Sequence, residues 1–114
     1  MIDLPPAQIH CIAVAVYEEA RGESDLGKKA VAHVILNRAK KLKLSPCEVI
    51  RQPGQFSFKI KKSYTGTTWN SVYKLVQNLG ADPTRGAYFF HNRSVRPGWK
   101  LKQTAIIGGH LFFK

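Results

Sequence analysis

The stretch that decides the fold is "TAIIGGHLFF" at residues 104–113, in the C-terminal part of the sequence. It is rich in β-branched and aromatic residues, which favour strands, and the Gly108-Gly109 pair within it is a two-residue hairpin signal. The shorter stretch "AYFF" at residues 87–90 has the same character. Together these stretches predict a small antiparallel sheet.

Two long helices are predicted in the first part of the chain. The first begins at Pro5-Pro6 and stops at Arg21-Gly22, and its apolar residues repeat at three- and four-residue spacing. A cap at Ser24 or Asp25 begins the second, which runs to about residue 42. Its cationic end, "RAKKLK", indicates either a solvated helix end or a surface for an anion.

Two shorter helices follow, with an extended segment between them. "SPCE" at residues 45–48 is a capping box, which predicts a short helix to about residue 52. In "GQFSFKI" the apolar residues alternate, which is typical of a strand-like segment. Thr67 or Thr68 can cap a fourth helix that Gly80 stops. Helices first and strands last make the predicted fold class α+β.

Length and charge limit the possible classes of protein. We expect a single domain over residues 1–114. The formal net charge of +11 implies an anionic partner, such as nucleic acid, a membrane surface or the bacterial cell wall. No stretch approaches the roughly 18 consecutive apolar residues of a membrane helix. The N-terminal residues also lack the features of a signal peptide. We expect a monomer with no membrane span, and the sequence leaves the compartment open.

Metal and cofactor sites are not indicated, and we expect neither. The four histidines have no metal-ligand spacing, and there is no glycine-rich phosphate loop. Cys11 and Cys47 fit a single disulfide and two buried free thiols about equally well.

The acidic residues are concentrated in "VYEEARGESD" at residues 16–25, which holds four of the seven in the chain. A helical projection at about 100° per residue points Glu18 into solvent and places Glu19 at the edge of the buried face. A carboxyl group at such an edge is suited to general acid catalysis, because partial desolvation raises its pKa. Glu23 and Asp25 lie where acids stabilise the start of the next helix.

Several separated blocks of the sequence resemble one family of enzymes. They are "VYEEARGE", "GKKAVAHVILNR", "CEVIRQPGQFSF", "ADPTRGAYFFHN" and "IGGHLFFK", which follow one another from about residue 10 to residue 114. These blocks resemble the SleB-type cell wall hydrolases, which include the catalytic domain of spore cortex-lytic enzymes. The resemblance implies a lysozyme-like fold, in which a helical lobe and a small sheet flank a glycan cleft.

The resemblance also implies a reaction. The family acts on peptidoglycan, and its studied members behave as lytic transglycosylases that cut the β-1,4 bond between N-acetylmuramic acid and N-acetylglucosamine. Its catalytic glutamate corresponds to Glu19. The sugar's own C6 hydroxyl is the nucleophile, so one carboxyl group suffices where ordinary glycosidases need two. If Glu23 also faces the cleft, hydrolysis by an activated water, as in a muramidase, is the alternative.

Further residues are assigned to the cleft. "QFSF" resembles the family's cleft-lining segment, and "YFFHN" resembles the family's "LYYFN", with Asn92 kept and His91 in place of a phenylalanine. Tyr64 and Trp99 are aromatic residues that can stack on a sugar face. The predicted substrate-binding or supporting residues are Glu23, Gln55, Phe56, Ser57, Tyr64, His91 and Asn92.

Other functions and origins remain open. The charge and the aromatic residues of "SFKIKKSY" also fit a basic nucleic-acid-binding domain. We expect no nucleic acid, however, because the sequence has no such motif and the acidic cluster would repel phosphate. A module that binds peptidoglycan without cutting it is a third possibility. A bacteriophage endolysin, a virion-associated lysin and a fragment of a longer bacterial protein all fit the chain.

Overall fold

The structure is a computed structural model that describes residues 3–52, 56 and 58–114. The described residues form four helices followed by a small sheet, as the sequence predicts. The elements are α1 (Pro6–Ala20), α2 (Asp25–Leu42), α3 (Pro46–Ile50), α4 (Thr67–Gln77), β1 (Phe89–Asn92), β2 (Gln103–Ile107) and β3 (His110–Phe113). The predicted α+β fold class is confirmed.

Helix α1 is the central helix of the helical lobe, since α2, α3 and α4 all pack against it. Residues 11–16 are buried without interruption, so the helix is covered on every side along these turns. Such a helix is surrounded by protein rather than lying with one face in water. This position brings the acidic end of α1 to the edge of the core.

Helix α2 connects the helical lobe to the sheet. The Ser24 hydroxyl caps it by accepting a 3.2 Å hydrogen bond from the Gly27 N–H, which confirms one of the two predicted caps. Val31 and Ile35 belong to the core shared with α1. Ala30 and Val34 pack instead with Phe112 of the sheet and with Ala87.

The sheet is antiparallel and has the strand order β1-β3-β2. Strands β2 and β3 form the predicted hairpin through Gly108-Gly109, and Gly108 takes a φ of 56°, which favours glycine. Phe112 of the central strand pairs with Phe90 on one side and Ala105 on the other, and its side chain is fully buried. The sheet therefore presents an apolar face to α2.

A disulfide between Cys11 and Cys47 joins α1 to α3, with the two Cα atoms 5.2 Å apart. The sequence fits a disulfide and two free thiols equally well, and the structure has the disulfide. The SPCE capping box is also confirmed, because Ser45 and Glu48 exchange both side-chain hydrogen bonds at the start of α3. The link and the cap together fix α3 against the central helix.

Two local predictions are wrong. Gly66, with a φ of 106°, is the N-cap of α4, so neither Thr67 nor Thr68 caps it. Phe58 and Ile60 lie in no strand, although their segment was expected to be strand-like. The ring of Phe58 contacts that of Phe56 instead, at 5.9 Å between centroids, and both rings pack against the helical core. In the described ranges, no helix is long and apolar enough to cross a membrane.

Candidate active site

Glu19 lies in the last turn of α1 and is half-buried. Its neighbours Val16 and Ala20 are buried in the core, with exposed fractions of 0% and 3%. The helix ends one residue after Glu19, at Ala20. The position that the helical projection predicts for this carboxyl group, at the edge of the buried face, is confirmed, while its catalytic role stays a prediction.

Glu18 does not point into solvent, and that prediction is wrong. Only 9% of its side chain is exposed. The Tyr64 hydroxyl donates a 3.1 Å hydrogen bond to Oε2, and Arg21 Nη1 lies 3.3 Å from Oε1. The reason is that Tyr64 covers this side of α1 near its C-terminal end, which a projection of the helix alone does not show. Glu18 has a structural position beside the candidate acid.

Glu23 connects the end of α1 to the C-terminal hairpin. Its Oε1 accepts a 2.9 Å hydrogen bond from the backbone N–H of Gly109, which is 86 residues away in the sequence. The two glycines of the turn allow this approach, because a Cβ at Gly108 would overlap Oε1 and one at Gly109 would lie 2.9 Å from Oε2. Glu23 was predicted to stabilise the start of α2, but Ser24 is the residue that caps this helix. The side chain of Glu23 bonds to the hairpin instead.

His110, the first residue of β3, is buried beside this contact with an exposed fraction of 5%. Burial lowers its pKa, the charge of Glu23 acts in the opposite direction, and His91 adds to the lowering. The His110 ring meets Phe90 edge-on at 5.2 Å. Its Nδ1 makes no hydrogen bond to the part of the chain that the structure describes. No sequence motif marks His110, because the four histidines lack metal-ligand spacing.

A pocket of about 150 Å³ lies between α2 and the sheet, and it brings together two of the predicted residues, Phe56 and His91. The His91 ring stacks on Phe113 at 5.0 Å and meets Trp99 edge-on at 5.3 Å. The walls are mainly aromatic. The lining residues are Arg38, Phe56, Phe89, Phe90, His91, Val95, Pro97 and Trp99.

Arg38 is the second functional candidate that the sequence did not reveal. It stands in the cationic run at the end of α2, but only 7% of it is exposed. Its Nη2 donates a 2.8 Å hydrogen bond to Gln52 Oε1, and its guanidinium carbon lies 5.3 Å from the centre of the Phe89 ring. The available signal was its spacing, since Arg38 follows the buried Val34 and Ile35 by four and three positions.

Tyr64 and Asn92 lie apart from the lining of this pocket. Tyr64 stacks on Trp69 at 4.9 Å, so one face of its ring is already in contact, and its hydroxyl bonds Glu18. Asn92 is exposed at the end of β1, where its Oδ1 accepts hydrogen bonds from the N–H and hydroxyl of Ser94. Gln55 and Ser57 lie outside the described residues. The binding roles of these four residues stay predictions.

The charged residues are distributed unevenly along the sequence. Glu19 and Glu23 flank the end of α1, whereas from residue 83 onward the sequence has six Lys and Arg and no Asp or Glu. A half-buried carboxyl group can give or take a proton at a substrate. Over the described ranges, no group of three or more His, Cys, Asp or Glu could hold a metal ion.

Sequence comparison identifies the class of protein. The chain belongs to the cell wall hydrolase family, whose profile matches residues 22–113. Glu19 lies just before the matched range. The predicted resemblance to this family of enzymes is therefore confirmed.

The chain is similar to spore cortex-lytic enzymes of known sequence. The chain is 34% identical over 113 residues to that enzyme of Bacillus cereus, with 93% of this chain and 44% of the relative covered. It is 35% identical over 111 residues to that of Halalkalibacterium halodurans, with 91% of this chain and 34% of the relative covered. The chain thus spans less than half the length of the curated relatives it matches.

Solved structures agree with this relationship. The catalytic domain of the Bacillus cereus SleB protein has a TM-score of 0.79 and 32% identity, covering 100% of this chain and 94% of that one. The catalytic domain of the germination-specific lytic transglycosylase SleB from Bacillus anthracis has a TM-score of 0.80 and 32% identity, covering 100% and 99%. The helical lobe and small sheet of this chain are the fold of those catalytic domains.

Proposed function

We propose that residues 1–114 form a single catalytic domain that cleaves peptidoglycan at the β-1,4 bond between N-acetylmuramic acid and N-acetylglucosamine, with Glu19 as the acid. The observation that carries the proposal is the position of Glu19. This carboxyl group is half-buried in the last turn of the helix around which the lobe is built. The family and the SleB catalytic domains support the same reaction class.

The proposed reaction is that of a lytic transglycosylase. Protonated Glu19 donates its proton to the glycosidic oxygen as the C1–O bond breaks and positive charge develops at C1. The Glu19 carboxylate then accepts the proton of the C6 hydroxyl of the same sugar, whose oxygen attacks C1. The products are a 1,6-anhydro sugar and a chain with a free hydroxyl, and the enzyme recovers its proton. A single carboxyl group completes this cycle.

Hydrolysis is the second candidate, and the position of Glu23 favours it. A muramidase needs a second carboxylate to activate water. Glu23 is held in one orientation by the Gly109 N–H, one turn beyond Glu19. In this case the product carries a reducing end in place of the 1,6-anhydro group.

The basic surface is proposed to bind the anionic cell wall or outer-membrane surface, and the chain is proposed to act as a monomer. The charge of +11 raises the local concentration of the enzyme at such a surface. Nucleic acid is not a proposed partner. Tight duplex binding with a steep salt dependence would contradict this part of the proposal.

The experiment compares two neighbouring carboxylates. Purified peptidoglycan is incubated with the wild type, Glu19→Gln and the matched control Glu18→Gln, and turbidity is followed. We expect Glu19→Gln to lose at least a hundredfold in rate, because general acid catalysis contributes about that much. Glu18→Gln should keep its rate. Both carboxylate oxygens of Glu18 bond to protein groups, to Tyr64 and to Arg21, and we assign Glu18 no part in the reaction.

Two results would contradict the assignment: a wild type that clears nothing, and a Glu19→Gln variant that clears as fast as Glu18→Gln. Circular dichroism confirms that each variant is folded. Mass spectrometry of the soluble fragments then separates the two reactions, because a 1,6-anhydro end is lighter than a reducing end by one water.

A further inference from the structure

The Arg38 guanidinium is a buried positive charge at the wall of a pocket. The side chain is 7% exposed, and burial lowers its pKa below the ordinary arginine value. Its hydrogen bond to Gln52 uses one of five N–H donors. A buried charge without a counter-ion destabilises the fold. We therefore ask whether a carboxylate contacts the remaining donors.

The described residues provide no carboxylate partner for Arg38. Their ion pairs join Arg21 to Glu18 and Lys28 to Asp25. The residues outside the description, 1–2, 53–55 and 57, include no Asp or Glu. Gln52 is neutral, so no contact within the described residues neutralises the charge of the guanidinium.

The pocket beside Arg38 has mainly aromatic walls. Rings of Phe56, Phe89, His91 and Trp99 surround a space of about 150 Å³. Trp99 is 40% exposed, so part of its ring is open to solvent. Sugar rings pack on exposed aromatic faces, and a guanidinium recognises a carboxylate through two parallel hydrogen bonds.

We propose that this pocket binds a carboxylate carried by the glycan substrate, with Arg38 as its counter-ion and the aromatic rings as walls for the adjoining sugar. The inference rests on the proposed function for the identity of the glycan. The carboxylate has two sources, namely the lactyl ether of a muramic-acid-type sugar and the peptide attached to that sugar. Their shared chemistry is a carboxylate a few bonds from a sugar ring.

The test measures binding of three soluble probes to the full chain by isothermal titration calorimetry. N-acetylmuramic acid carries the lactyl carboxylate, muramyl dipeptide carries its carboxylate on the peptide, and N-acetylglucosamine carries none. We expect at least one acidic probe to bind at least tenfold more tightly than N-acetylglucosamine, because hydrogen bonds to charged groups contribute factors of ten to a hundred. The tighter acidic probe identifies the source.

Arg38→Met keeps the apolar stem and removes the guanidinium, and Lys40→Met removes an exposed cation of the same helix as the matched control. We expect Arg38→Met to abolish the preference for the acidic probe and to leave N-acetylglucosamine unchanged, and Lys40→Met to change neither. If Arg38→Met does not fold, Arg38→Lys replaces it in the test. Its preference for the acidic probe is expected to be weaker than that of the wild type but still measurable.

Equal binding of the three probes, no binding of any probe, or an unchanged preference in the Arg38 variant would overturn the proposal. These outcomes are separate from the failure of the proposed function, because binding is measured without cleavage. The same titration in Glu19→Gln is expected to give wild-type affinities. An enzyme that clears peptidoglycan but binds all three probes equally refutes only the role of Arg38.

Discussion

The carboxylate of Glu23 accepts a 2.9 Å hydrogen bond from the backbone N–H of Gly109, so a residue between the first two helices is bound to the turn of the last hairpin. This contact is one of the ties between the helical lobe and the sheet. Because Glu23 follows Glu19 by four positions, the contact also fixes the backbone beside the candidate acid.

Gly109→Ala is expected to disturb this contact without straining the backbone. The added Cβ would lie 2.9 Å from Glu23 Oε2, whereas the φ of Gly109 is not among the positive values of the described glycines. We expect the free energy of unfolding to fall by about 1 kcal/mol, as for a lost hydrogen bond. Urea denaturation measures it, with Gly22→Ala as the control, because a Cβ at Gly22 meets nothing within 4 Å.

A double-mutant cycle identifies the cause of that loss. In a Glu23→Ala background the Gly109→Ala substitution has no carboxylate to displace, so we expect it to cost much less there. An equal cost in both backgrounds would show that the loss arises within the hairpin.

Removal of the Cys11–Cys47 disulfide is expected to lower the free energy of unfolding by up to about 4 kcal/mol, because the link closes a long loop in the unfolded chain. The measurement compares urea midpoints with and without dithiothreitol. Cys11→Ala/Cys47→Ala should match the reduced protein and be insensitive to dithiothreitol. A midpoint of the wild type that does not move on reduction would contradict the prediction.

Asp82 is expected to stabilise the fold above acidic pH. Burial alone would raise its pKa, but hydrogen bonds from Thr84, Asn37 and Gly86 outweigh this and lower the pKa. A lowered pKa in the folded state stabilises it above the unfolded value of about 3.9, and this contribution is lost as the pH falls through the folded value. We expect Asp82→Asn to cost about 2 kcal/mol at pH 7, since the NH2 group that replaces one carboxylate oxygen cannot accept the two hydrogen bonds that this oxygen receives.

The comparison of Asp82→Asn with the wild type at several pH values checks this sign. The difference in free energy of unfolding should shrink between pH 5 and pH 2. A difference that stays constant over this range would mean that the charge of Asp82 has no part in stability.

His33 and His110 predict a second pH dependence, at higher pH. Burial lowers the pKa of both histidines. For His33, the charge of Asp82 and a hydrogen bond to the Gly80 backbone raise the pKa but do not outweigh burial. For His110, the charge of Glu23 raises the pKa and likewise does not outweigh burial. Their stabilising contribution is therefore complete above the unfolded value of about 6.5 and is lost as the pH falls below it. Urea midpoints at pH 8 and pH 5.5 measure the loss, which His33→Gln/His110→Gln should reduce. An equal loss in this variant would assign it to other groups.

Activity on whole cell walls is expected to fall as salt rises, because the net charge of +11 speeds the encounter with an anionic surface. The measurement is the clearing rate between 50 and 500 mM sodium chloride. A soluble, uncharged glycan fragment is the control, and its cleavage should depend little on salt. Clearing of walls that is independent of salt would contradict the role of the basic surface.

The parts of the fold that follow from local rules could be predicted. The ends of α1 and α2, the SPCE capping box and the diglycine hairpin depend on neighbouring residues, and the structure has all of them. The half-buried position of Glu19 follows from helical periodicity. Family resemblance added the catalytic role that we propose for it, which the acidic cluster alone does not give.

The rest depends on contacts between distant residues. Glu18 was expected in water because a projection of one helix does not include Tyr64, which is 46 residues away. Arg38 is predicted within a cationic helix end, although the structure buries it in contact with Gln52 and Phe89. The contact of Glu23 with Gly109 could not be predicted either. An acid at position 23 is explained by the start of α2, and a glycine at position 109 is explained by the hairpin turn, so neither residue suggests a distant partner.

The distance along the chain between Glu23 and Gly109 has a consequence for synthesis. A ribosome completes the helix that carries Glu19 long before it reaches the hairpin, and contacts of such long range form late in folding. A growing chain therefore has its candidate acid well before that acid is held in place. The contact that Glu23 makes with the hairpin is therefore expected to form only after the hairpin has emerged from the ribosome.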